Sequence, residues 1–277
     1  MIFFLFIVFL LVAYLISHRI FVHRKTFTGT AKLYGKTIIV TGSVFTYFHI
    51  YSKIITIDSN NINNIFDLST DVQLFFLALP AALAAPGRTE DGIGMILGVN
   101  HIGSFLLTNL LLERLKECAP SRVVNVSSCG HDMGTIDFDC INTHKKLALG
   151  SSDAELFRAY THSKLCNVLF THELAKRLEG TSVTCYSLHP GSVRSELARD
   201  INEWHTHIIK AIISKFWATD PVSGAQTTLY CALQENIEHL SGRYFSDCQL
   251  VQVKPEARDD GIAKKLWDVS EKLCGMA

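Results

Sequence analysis

Residues Thr37 to Ile50 read TIIVTGSVFTYFHI. The first five side chains are all β-branched and the run halts at Gly42, the pattern of a short strand buried on both faces that ends in a tight turn. A strand and turn of this kind, leading into a helix, form the cradle for a dinucleotide's pyrophosphate when further glycines let the backbone approach it. Here Ser43, Val44, Phe45, Thr46, Tyr47 and Phe48 follow instead. The stretch therefore points to an α/β fold and at the same time lacks the glycines of its phosphate turn.

Outward from this strand, apolar runs of strand length alternate with segments of helical period. LGVNHIGSFLLTNLLLERLKE (97–117) reads as a long helix, RVVNVSS (122–128) as the next strand, and FRAYTHSKLCNVLFTHELAKRLEG (157–180) as a helix stopped at Gly180. SVTCYSLHPG (182–191) is a strand running into a turn. ATDPVSGAQTTLYCALQE (218–235) is a helix with proline in its first turn, GRYFS (242–246) a short last strand and DDGIAKKLWDVSEKL (259–273) a final helix. The alternation specifies a doubly wound parallel sheet, Rossmann-like, in a single domain.

The chain has 277 residues, is 48% hydrophobic and carries no net charge, with its basic residues dispersed. That excludes a basic face for nucleic acid. Eight cysteines are scattered without a C-x-x-C pair, as expected of reduced thiols in a cytosolic domain. Twelve histidines give no ligand spacing; His205 and His207 are two apart on a helix-like stretch, where side chains diverge, so no metal site is expected.

Met1 to Ile16 is uncharged and almost wholly apolar, and a helix through Val22 with Arg19 snorkelling would span about 30 Å. This suits the thin bilayer of the endoplasmic reticulum. Arg19, Arg24 and Lys25 follow the apolar run, which places everything beyond them in the cytosol. A cleaved signal peptide would need a basic stretch before the run and small residues after it; neither is present. Residues 1–22 are thus read as a single-pass anchor and 23–35 as a linker.

Candidate chemistry gathers where strands end, the ligand-binding edge of open α/β sheets. Tyr160 and Lys164 are four apart on a helix and share a face. A phenol ionises at about pH 10, and a neighbouring ammonium is expected to draw it down. In order along the chain stand Asn100 in LGVNHIG, Ser128 closing VVNVSS, and His189-Pro190-Gly191 after the following strand. Ser127 and Ser128 point to opposite faces by strand alternation. Asn125-Val126-Ser127 is a glycosylation sequon, but in a buried cytosolic strand it is not expected to be used.

These motifs, with TEDG, LLERLK, YTHSKLCNVLFTHELAKRL, HPGSVRSEL, GAQTTLYCAL and LSGRYFSDC, resemble the short-chain dehydrogenase/reductases, and within them the membrane-anchored, NADP-dependent retinol dehydrogenases. The resemblance implies a domain over 36–277 that interconverts an alcohol and a carbonyl by hydride transfer with NADP, NAD being the alternative. It implies that Tyr160 passes the proton, Lys164 lowers its pKa and holds the nicotinamide ribose, Ser128 hydrogen-bonds the substrate oxygen and Asn100 positions a water. Thr41 and Gly42 would border the phosphates, Asp67 and Leu68 the adenine, Pro190, Gly191 and Val193 the nicotinamide, and Ser195 the phosphates again.

Residues 43–88 depart from that pattern. The family's T-G-x-x-x-G-I-G is broken, and two further strands and three helices are expected before the fourth strand, which QLFFLALPA (73–81) matches too early. At least one helix-strand unit is therefore missing; KIITID (53–58) and FDLST (66–70) read as remnants, and the expected Asn-Asn-Ala-Gly is Ala78-Leu79-Pro80. The first strand is then expected to be an exposed apolar edge. Ser43 to Phe66 is either translated non-coding or mis-spliced sequence, or a diverged loop. Function divides accordingly between a membrane-tethered retinol dehydrogenase and a tethered relative unable to hold the dinucleotide. The stretch between Ser128 and Tyr160 is expected to wall the pocket. LARDINEWHTHIIKAIISKFWA (197–218) reads as an ordinary amphipathic helix or as a hydrophobic lid, the latter suiting a lipophilic substrate drawn from the bilayer.

Overall fold

Val123 and Val124 are adjacent in sequence and both fully buried, because they project to opposite faces of one sheet and each face is covered. On one side Val123 packs with Ile39, Phe105, Leu115, Phe170, Cys185 and Trp267. On the other, Val124 packs with Tyr186, Leu188, Cys231 and Phe245. A doubly wound sheet has this signature, and it is what the run of β-branched residues in the strand requires.

The structure is a computed structural model and describes residues 25–29, 37–41, 53–56, 74–78, 87–143, 153–191 and 221–277. Its strands are β1 (Thr37–Thr41), β2 (Lys53–Thr56), β3 (Leu74–Ala78), β4 (Ser121–Val126), β5 (Val183–His189), β6 (Tyr244–Ser246) and β7 (Gln249–Val251). They form one sheet in the order β2-β1-β3-β4-β5-β6-β7. β1 to β6 run parallel, and β7 returns antiparallel to β6. The strand order reverses between β1 and β3, which creates the crevice where such sheets bind ligands.

The helices are α1 (Met95–Leu97), α2 (Gly103–Glu117), α3 (Phe138–Thr143), α4 (Asp153–Arg177), α5 (Pro221–Leu233) and α6 (Asp260–Leu273). α1 and α2 are joined through a π turn, Gly98–Ile102, so 95–117 is continuous but wound wider at that point. By composition this helix is apolar enough to cross a membrane. It is instead a core helix, with Phe105, Leu111 and Leu115 buried beneath the sheet. α4 ends ahead of Gly180, whose φ of +82° suits glycine, and α6 starts on Asp259, whose carboxylate accepts from the Ile262 N–H at 2.8 Å.

Three expectations change. β1 is no edge: Thr37 to Val40 pair with Lys53 to Thr56 on one side, while Thr37 to Thr41 pair with Leu74 to Ala78 on the other. The KIIT remnant supplies the missing partner. GRYFS is not the last strand, since a turn at Asp247 and Cys248 returns the chain as β7. The long helix 97–117 is interrupted by the π turn. Among the described residues one strand, β2, comes between β1 and β3 in chain order where the resemblance implies two, and it pairs on the outer side of β1, so the sheet is short on that side. The anchor 1–22, Gly42 and the turn after it, Asp67, Leu68, Val193, Ser195 and the segment 197–218 lie outside the described residues.

Candidate active site

β4 ends at Val126, and the next two residues divide as strand alternation requires. Ser127 turns toward α4 and donates to the Lys164 carbonyl at 2.7 Å. The Ser128 hydroxyl accepts from the Gly130 N–H at 3.1 Å, and a Cβ on Gly130 would stand 3.4 Å from both that hydroxyl and the Tyr160 ring, so the two side chains flank Gly130. Tyr160 and Lys164 lie one helical turn apart on α4, with the Lys164 Nζ 5.6 Å from the phenol ring centroid. That Nζ donates to the Val126 carbonyl at 3.1 Å, so lysine, serine and tyrosine meet at the C-terminal end of β4. Lys164 is only 2% exposed and Tyr160 7%.

Asn100 enters from the π turn. It is completely buried, and its Nδ2 donates to the Ser163 hydroxyl at 3.0 Å, which in turn donates to the Tyr160 carbonyl at 2.7 Å. It therefore braces the turn of α4 that carries the phenol. π turns widen a helix by one residue and recur at functional sites; here the widening brings Asn100 onto α4.

The electrostatics differ from the expectation. Burial pushes the Tyr160 phenol above its ordinary value, with the nearby Ser128 hydroxyl opposing this and Cys129 adding to it. Burial also pushes the Lys164 ammonium down to about 7. In the protein alone the lysine does not draw the phenol down: both groups are starved of water, and the Nζ is directed at a backbone carbonyl.

Pro190 and Gly191 follow β5, and Gly191 takes a φ of +86°, a left-handed turn that a side chain would strain. Thr41 closes β1 opposite Ala78. Asn125, of the sequon, is 1% exposed and donates to the Thr171 hydroxyl at 2.9 Å, out of reach of any glycosyl transfer. Among the described residues no group of His, Cys, Asp or Glu could hold a metal ion, and Cys118, Cys129, Cys166, Cys185, Cys231, Cys248 and Cys274 are free thiols.

Two residues escaped sequence reasoning. His131, three after Ser128, brings its Nδ1 to 2.6 Å from the Ser128 carbonyl, so Nδ1 carries the hydrogen. Its ring lies 4.5 Å from that of Tyr244, which fixes the loop behind Ser128. A single histidine in a loop carries no signal that would have found it. Gly134 lets the same loop touch α4: a Cβ there would fall on the Thr161 carbonyl oxygen and within 3.0 Å of the Leu165 Cβ. Gly134→Ala is therefore expected to destabilise the fold by about 1–3 kcal/mol, read as a lowered urea midpoint at unchanged slope.

No family model matches the chain. Mouse retinol dehydrogenase 11 is 52% identical over 191 residues, covering 68% of this chain and 57% of the relative. Bovine dehydrogenase/reductase SDR family member 13 is 50% identical over 212 residues, 76% of this chain and 54% of the relative. A crystal structure of an uncharacterised protein from Mycobacterium Paratuberculosis superposes with a TM-score of 0.66 at 24% identity, covering 91% of this chain and 98% of that one. The chain belongs to the short-chain dehydrogenase/reductase family. It spans little more than half the length of these curated relatives. Its fold is shared with a 3-oxoacyl (acyl-carrier-protein) reductase from Agrobacterium tumefaciens solved with NADP bound, at a TM-score of 0.53 and 15% identity over 77% of this chain and 93% of that one.

Proposed function

We propose that this chain interconverts a lipophilic alcohol and its aldehyde or ketone, of the retinol and retinal class, using NADP(H), or NAD(H) as the alternative. It would do so at the cytosolic face of the endoplasmic reticulum, tethered by residues 1–22. The observation that carries the reading is the meeting of Ser128, Tyr160 and the buried Lys164 at the C-terminal end of β4, in a chain 52% identical to mouse retinol dehydrogenase 11 over 191 residues.

In the direction of carbonyl reduction, charge grows on the substrate oxygen. The Ser128 hydroxyl and the Tyr160 phenol are the two donors that stabilise it, acting in a site where burial strengthens each hydrogen bond. Burial keeps Tyr160 in its acid form at neutral pH, so it holds the proton that the oxygen must receive. Lys164, pushed down to about 7, holds or releases a proton near neutrality and so serves to balance the phenol's charge. Asn100, through Ser163, keeps that turn of α4 in register.

The donor set fits the nicotinamide end of a dinucleotide: a buried ammonium, a phenol and a hydroxyl beside the left-handed Gly191. Tyr160, Lys164, Pro190 and Gly191 would hold that end, and Thr41 and Gly42, with Asp67, Leu68, Val193 and Ser195, are the contacts the family likeness assigns to the rest. The cofactor supplies the hydride when bound. Titrating the full chain in detergent micelles with NADPH tests the reading. Binding is expected to raise nicotinamide fluorescence and to stabilise the fold by about 2.7 kcal/mol at a hundredfold excess over Kd, with retinal then consumed. No response up to about millimolar NADPH, far above the micromolar range typical of enzyme substrates, would leave the chain as a tethered relative that keeps the Tyr-Lys pair and does no catalysis.

A further inference from the structure

Lys25 to Gly29 is distant in sequence from everything it touches. The Lys25 N–H donates to the Asp247 carboxylate at 3.0 Å, and the Lys25 carbonyl accepts from the Cys248 thiol at 3.5 Å. Two residues on, the Phe27 N–H donates to Gln226 Oε1 at 2.9 Å, and its ring meets Tyr230 edge-on at 6.4 Å. Both backbone groups of Lys25 and the amide of Phe27 are thus taken up by one corner of the domain, the β6–β7 turn and α5.

That corner is built to receive them. Asp247 and Cys248 have φ of 53° and 55°, a two-residue hairpin turn of the kind that selects Asn-Gly, made here without a glycine. Non-glycine residues in this region are strained and persist where surrounding contacts hold them. Cys248 is buried with its N–H on the Thr227 hydroxyl at 3.3 Å, and the Gln226 amide nitrogen is committed to the Val222 carbonyl at 2.8 Å, which turns its oxygen toward Phe27.

We propose that the Asp247–Cys248 turn and α5 form a clamp for the segment that follows the membrane anchor, and that the clamp holds this corner of the domain against the bilayer. The proposal rests on the reading of residues 1–22 as an anchor. Two residues separate Val22 from Lys25, a reach of at most about 11 Å, so the end of such a span would lie within that distance of Lys25. Val222, on the first turn of α5 and one helical turn from Gln226, is 45% exposed on this corner and is the apolar contact offered to lipid.

Hydrogen exchange on the full chain in phosphatidylcholine nanodiscs tests the clamp without requiring catalysis or cofactor. The Lys25 and Phe27 amides are expected to exchange at least tenfold more slowly than in an unstructured chain. Asp247→Gly, which removes the acceptor and relieves the strained φ, is expected to abolish protection at Lys25; Asp247→Asn, which keeps both acceptor and turn, is expected to retain it. A photoreactive phosphatidylcholine in the same discs is expected to label 222–226 and 247–248, and to lose that preference in Asp247→Gly. Fast exchange at Lys25 and Phe27 in the unaltered chain overturns the clamp, and protection with labelling elsewhere on the domain overturns its orientation. A chain that does not incorporate into the discs at all overturns the anchor instead, and with it the lipid side of the proposal.

Discussion

Tyr160→Phe is expected to lower kcat/KM for retinal reduction by about 10²–10⁴-fold, the usual worth of a positioned proton donor, in steady-state assays with NADPH at pH 7. The substitution deletes one oxygen and keeps the ring, which packs with Ile96, Ala159 and Leu156. Losing one hydroxyl's hydrogen bonding costs about 1 kcal/mol, so denaturant unfolding is expected to move little while turnover collapses. Ser128→Ala removes the other donor and is expected to cost about 10²–10³-fold. Because the two hydroxyls would serve one substrate oxygen, the double variant should lose less than the product of the single losses. A Tyr160→Phe protein within tenfold of the parent would transfer the proton's origin to another group and would overturn the mechanism drawn from the Ser128–Tyr160 pair.

The parts of this site that were legible in sequence are those fixed by local periodicity. Tyr160 and Lys164 had to share a face because α4 turns once in 3.6 residues, and Ser127 and Ser128 had to part because a strand alternates. The opposite faces of β4 followed from the same rule applied to Val123 and Val124. What could not be read depends on distant pieces meeting. The π turn that brings Asn100 to Ser163 leaves no periodic trace, since the sequence around it fits an unbroken helix. β2 escaped recognition as the partner of β1 because four residues of KIIT carry little pattern, and pairing is settled by the partner strand. β7 was missed because its turn, Asp247-Cys248, lacks the glycine that marks such hairpins. The direction of the phenol's shift also escaped: sequence shows that a lysine is near, whereas burial, which outweighs it here, is a property of the packed whole.

Acid is expected to destabilise the fold steeply, and His101 is the main cause. It sits in the π turn beside Asn100, 1% exposed, with its Nε2 2.9 Å from the Ser270 hydroxyl and its ring between Phe105 and Phe170. Burial pushes its pKa from 6.5 down to about 4, with Asn167 alongside opposing the shift. Between those two values the unfolded chain binds a proton that the folded chain refuses. Stability is therefore whole above about pH 6.5 and falls by about 1.4 kcal/mol per pH unit below it, about 3 kcal/mol in all by pH 4. His162 shifts the same way, also to about 4, through burial first and then Arg158 and Lys254, with Asp137 opposing; being more open to solvent, it adds a smaller share. Urea unfolding at pH 7 and pH 4.5 measures the sum, and His101→Gln should remove most of the difference. A free energy that stays level between those pH values would mean that His101 is protonated in place, with water or a carbonyl to receive its charge.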